Sequence, residues 1–146
     1  MHRIAFIGSC WHKAIVDQFR EAFTSRISEL EQGEVDIEYI EAPGVVEVPL
    51  LARLCADRQQ YDAIVVSGLV VDHGVYRHEF VAQSVLDAIM RVQLDTRIPI
   101  IYGILTPQDF LSEGREAFFL EHFIVKGHEA ANACSKMLAN LSRLAA

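Results

Sequence analysis

The chain has little of what would tie it to a metal, a nucleotide or a membrane. Its three cysteines, Cys10, Cys55 and Cys134, are scattered over 146 residues without metal-ligand spacing. An odd, dispersed set of this kind reads as reduced, buried thiols rather than as a disulfide frame. Neither GxGxxG nor GxxxxGK[ST] occurs, so no dinucleotide or nucleoside triphosphate is indicated. No apolar run approaches the roughly 20 residues that a bilayer-crossing helix needs. Met1-His2-Arg3 leads straight into an apolar segment, without the pattern of a signal or transit peptide, and the cytoplasm is the expected compartment. Basic residues are also scarce: 13 Lys and Arg against 20 Asp and Glu give a formal charge of -7. That balance disfavours a general electrostatic grip on nucleic acid or anionic lipid. Repeats, low-complexity tracts and linkers are missing too, so residues 1–146 are expected to form one domain.

What is present is apolar: 51% of the residues are hydrophobic, with a mean hydropathy of +0.20. A domain of this length buries roughly 70% of its unfolded surface. Apolar surface beyond that tends to be covered by neighbouring subunits, which points to a homo-oligomer. Short apolar runs alternate with segments of helical period. Arg3 to Ile7 reads as a strand. Ile15, Phe19, Ala22, Phe23, Ile27 and Leu30 then step by three and four along a helix. Val35 to Glu41 alternates as a half-covered strand, and a short helix is expected from near Glu47 to Asp57. Ala63 to Val71 suits a central strand buried on both faces. A helix carrying Phe80 to Val92, a strand from Ile98 to Leu105, and a last helix preceded by Lys126-Gly127 complete the series. This order predicts an α/β three-layer sandwich of flavodoxin-like type with a four-stranded, mostly parallel sheet. Such sheets bind ligands beyond the carboxyl ends of their strands.

The loops at those ends hold the candidate chemistry. After the first strand come Trp11 and His12; the lone Trp is either a packing residue or a platform for a flat heterocycle. The turn Pro43-Gly44 leads to Val45, Val46 and Glu47. Backbone groups there can meet a ligand, and the acid is either a first-turn carboxylate favoured by the helix dipole or an acceptor for hydroxyl groups. The third loop, Asp72 to Glu79, is densest: His73, Arg77 and His78 can bind an anion and move protons, and the backbone at Gly74 and Val75 can add a small anion nest. A solvated polar turn is the plainer alternative. A metal held by Asp72, His73 and His78 lacks ligand spacing and is set aside. Tyr102 lies in the fourth strand, and His122 and Lys126 sit four apart, as an anion-binding pair or as surface charge.

Together these segments resemble one family, the 6,7-dimethyl-8-ribityllumazine synthases, over nearly the whole chain. The matching features are Trp11, the turn Pro43 to Pro49, Gly68 to Val71 with Glu79-Phe80-Val81, Pro99 to Thr106, and Lys126 to Ala131. Gly74 to Val81 and His122 to Gly127 look like the second, decameric type of that family. The resemblance implies condensation of 5-amino-6-(D-ribitylamino)uracil with 3,4-dihydroxy-2-butanone 4-phosphate, without cofactor or metal, in a pentamer or decamer. It implies that Trp11 stacks on the pyrimidine, that Val45, Val46 and Glu47 hold the ribityl chain, and that Leu69, Val70 and Val71 offer backbone groups to the uracil. Gly74 and Val75 would contact phosphate, and Tyr102 of a neighbouring subunit would close the pocket. Two positions depart from the common type. Its proton-transferring histidine falls at Arg77, with His78 next, and its phosphate-binding arginine falls at Phe118. The acid–base role is therefore expected at His78 or Arg77, and the phosphate contact at His122. A lumazine- or flavin-binding paralogue with weak turnover is the runner-up, and a flavodoxin-like electron carrier a third reading.

Overall fold

A computed structural model describes residues 1–146. Its elements follow in the order β1 (His2–Ser9), α1 (Lys13–Leu30), β2 (Val35–Ala42), a 3₁₀ turn (Val45–Glu47), α2 (Val48–Asp57), β3 (Ala63–Leu69), α3 (His78–Thr96), β4 (Ile100–Leu105) and α4 (Arg115–Ala145). The sheet order is β2-β1-β3-β4, and every pairing is parallel. Alternation along the strands builds the layers. Ile4, Phe6, Ala63, Val65 and Ile101 face α1 and α4, whereas Ala5, Ile7, Ile64, Val66, Ile100 and Ile104 face α2 and α3. The three-layer α/β/α sandwich is as expected, and the sheet is wholly parallel. No helix is long and apolar enough to cross a membrane.

Three of the boundaries that differ from the sequence reading have a clear local reason. β3 stops at Leu69 rather than Val71. Its partner β4 ends at Leu105, so only the Val70 N–H, donating to Leu105 O at 2.9 Å, continues the ladder. β4 begins at Ile100 rather than Ile98. Pro99 has no N–H to donate, and the Ile100 N–H is taken by the Gln93 side chain at 2.6 Å. The last helix starts at Arg115, so Lys126 and Gly127 lie inside it instead of before it. There Gly127 permits close packing rather than a stop: a Cβ would sit 2.5 Å from Phe19 O and 2.7 Å from Ala22 Cβ. The close approach of α1 and α4 has overridden glycine's low helix propensity.

Candidate active site

Strand order reverses direction between β1 and β3: the chain moves outward from β1 to β2, then crosses to β3 on the other side. A parallel sheet opens a crevice at such a switch point. A cavity of about 560 Å³ lies there, lined by residues following β1, β2 and β3. Small residues let the strand ends beside it approach closely. A Cβ at Gly68 would lie 2.6 Å from Ser9 Oγ and 2.8 Å from Val45 Cγ1, so only glycine lets the three strand ends converge. The β1 and β2 loops are also tied directly, by Cys10 N–H to Ala42 O at 3.2 Å and by the Cys10 thiol donating to Pro43 O at 3.1 Å.

Trp11 is 63% exposed and borders this cavity, so it is not a core residue. Its indole and the Glu47 carboxylate approach the same point from two sides. A methyl group on Gly44 would be 3.5 Å from Trp11 Nε1 and 3.3 Å from Glu47 Oε2. Val45, Val46, Leu69, Val71 and Val75 complete the expected lining. The result is an apolar slot beside a flat aromatic ring, with one acceptor-only carboxylate at its edge. Val70 instead turns its side chain into the α2/α3 core, leaving only its backbone near the strand end.

The β3–α3 loop is folded by its own polar groups. Asp72 Oδ1 accepts the Gly74 N–H at 2.8 Å, with Gly74 at φ +76°, and the Tyr76 hydroxyl donates to Val71 O at 3.3 Å. An anion at Gly74 must therefore displace the Asp72 carboxylate. His78 does not line the Trp11 cavity. Its Nδ1 lies 3.1 Å from Glu79 Oε2 and 3.8 Å from Asp72 Oδ2. It lines a second cavity of about 310 Å³ with Tyr102, between α3 and β4. Desolvation there pushes the Tyr102 phenol above its ordinary range. The exposed Arg77 guanidinium sits 5.8 Å from the Phe80 ring centroid. His122 stacks on Phe118 along α4, at 5.6 Å between centroids, outside both cavities.

Of the expected residues, Trp11, Val45, Val46, Glu47, Leu69, Val71 and Val75 line one cavity and His78 and Tyr102 the other, while Val70, Gly74, Arg77 and His122 line neither. The site implied by the resemblance did not include Gly44, His12, His73, Tyr76 and Val81, all of which line the larger cavity, although His12 and His73 stood among the loop candidates. Proximity to Trp11 signalled His12. Nothing in the spacing of the third loop told which of its histidines turns inward.

Residues 1–142 match the family model described as 6,7-dimethyl-8-ribityllumazine synthase. The chain belongs to that family. A 6,7-dimethyl-8-ribityllumazine synthase 2 of Pseudomonas syringae pv. tomato is 47% identical over 143 residues, 97% of this chain and 84% of that one. The 6,7-dimethyl-8-ribityllumazine synthase of Rhodococcus erythropolis is 46% identical, covering 97% of this chain and 92% of its own length. A synthase 2 of Bradyrhizobium diazoefficiens is 46% identical with 97% and 86% covered.

Proposed function

We propose that this lumazine synthase condenses 5-amino-6-(D-ribitylamino)uracil with 3,4-dihydroxy-2-butanone 4-phosphate, releasing phosphate and water. The observation that carries the reading is the convergence of Trp11 and Glu47 across Gly44 in a cavity of about 560 Å³. Trp11 stacks on the pyrimidine, and Glu47 accepts ribityl hydroxyls beside the backbone of Val45 and Val46. The backbone of Leu69, Val70 and Val71 meets the uracil edge. Gly74, Val75 and Arg77 hold the phosphate end, with His122 as a further contact. The reaction has no net redox change, so no redox cofactor is assigned, and proton transfers and proximity account for each step without a metal. Holding two reactants together supplies much of the rate, because proximity converts a bimolecular step into a unimolecular one.

The site is completed by a neighbouring subunit in a pentamer or decamer. Tyr102 and His78 share one cavity, so a neighbour that brings Tyr102 to the Trp11 slot also brings His78 as an acid–base group. Exposed Leu50, Leu54, Phe80 and Leu94 supply apolar surface for such contacts. Incubating the protein with both substrates and following lumazine absorbance tests the reading. Product formation without added metal or redox reagent is expected; tight lumazine binding without turnover would overturn it in favour of a carrier. One observation favours that second reading: neither Arg77 nor His78 lines the larger cavity.

A further inference from the structure

His12 and His73 come from different loops and meet at the wall of the Trp11 cavity. Their rings are nearly parallel, 7° apart, with centroids 5.8 Å from each other. Phe110, itself 5% exposed, packs edge-to-face with His12 at 5.0 Å and 71°. The placement is fixed at both ends. His12 has a left-handed backbone, φ 52°, that non-glycine residues rarely adopt, and its carbonyl accepts the N–H groups of Ile15 and Val16 at the start of α1. His73 follows Asp72, whose carboxylate closes the turn onto Gly74.

We propose that His73, held face to face by His12, is a proton-transfer group of this cavity, with His12 as its positioning residue. The inference rests on the function proposed above. The condensation needs such a group where the pyrimidine adduct lies. Once the 5-amino group and the ketone have formed an imine and released water, a base removes the proton from C3 of the butanone. The C–H electron pair becomes a C3–C4 double bond, and the C4–O pair departs with phosphate. That proton is returned to C4 while the enol O–H gives up its own proton to the same group, leaving a methyl ketone that the ribitylamino nitrogen attacks with loss of a second water. Arg77 stays charged and cannot take that proton near neutral pH. His78 of the same chain is turned toward Asp72 and Glu79 and reaches the slot only from a neighbouring subunit. His73 is thus the third-loop imidazole that a chain places at the wall of its own Trp11 cavity, beside the neighbour's His78.

The electrostatics of the pair assign the two rings different tasks. His12 faces His73 from the β3–α3 loop, Glu116 from α4 and Phe110 from the segment before it, with Lys13 next on its own helix. Burial first, and the charge of His73 second, hold His12 below the ordinary imidazole range, against an upward pull from Glu116. The inner ring, His12, therefore stays neutral at pH 7 and offers an uncharged surface to His73.

Steady-state lumazine formation by the full chain, with both substrates saturating and pH varied between about 5.5 and 8.5 around the imidazole range, tests this. His73→Gln should lower kcat about a hundredfold, leave KM for the pyrimidine near the wild-type value, and abolish the acid limb of the pH profile. His12→Ala should lose part of kcat, and His12→Phe, which keeps a ring under His73, should regain it. A folded His73→Gln protein with wild-type kcat and an intact acid limb overturns the proton-transfer role while leaving the proposed function standing. Equal losses in His12→Ala and His12→Phe, or none in either, overturn the positioning role. Wild-type protein that forms no lumazine overturns both the function and this inference.

Discussion

Gly127 of α4 lies against the backbone of α1 so closely that a Cβ there would sit 2.5 Å from the carbonyl oxygen of Phe19. Backbone cannot rotate out of the way as a side chain can. Overpacking of this kind costs roughly 1–3 kcal/mol, more than the roughly 1 kcal/mol of helix propensity that alanine regains. Gly127→Ala is expected to lower the urea midpoint at fixed protein concentration. An unchanged or raised midpoint would mean that the two helices separate easily.

Trp11→Ala should weaken ligand binding without disturbing the fold, because the indole is largely exposed above the cavity. Loss of a stacking contact worth about 0.5–1.5 kcal/mol beyond area burial corresponds to roughly a three- to tenfold drop in affinity. Fluorescence titration with the lumazine product measures it. Unchanged affinity, or a large loss of helical signal, would return Trp11 to a packing role.

Arg77 and His78 should separate kinetically. Arg77, always charged, is proposed to hold the phosphate end through the reaction, so Arg77→Ala should chiefly raise KM for the butanone phosphate. His78 shares a cavity with Tyr102 and can exchange protons, so His78→Ala should lower kcat by roughly ten- to a hundredfold or more. A turnover defect confined to Arg77→Ala would reverse the assignment.

Acidification should destabilise the fold through His12. Its folded-state value lies below the ordinary 6.5, mainly because burial disfavours the charged ring. The unfolded chain therefore binds more protons as pH falls through 6.5, and stability declines from there downward until the folded ring also titrates. Urea unfolding at pH 7.5 and at pH 5.5 should show a smaller decline in His12→Phe than in the wild type. Equal declines would place the acid sensitivity elsewhere.

Much of the fold was legible along the chain. Alternation in Val35–Ala42, the apolar run of Ala63–Leu69 and the spacing of Ile15, Phe19, Phe23 and Ile27 are local patterns set by side-chain direction, and they gave the layers and the helix faces. So did the loops that reach the switch point, since chain order fixes which residues follow a strand. Glycine misled at Gly127, because local propensity marks it as a stop and only the approach of a distant helix makes it a contact. The site divides in the same way. Trp11, Gly44 and Glu47 lie where loop chemistry placed them. Which histidine of the third loop turns inward could not be read locally. The Asp72–Gly74 turn sets its direction, and His12 and Phe110, 61 and 37 residues away from His73 in sequence, supply the surface it rests on. Periodicity records what each residue prefers beside its neighbours in the chain; only tertiary packing decides which distant rings meet.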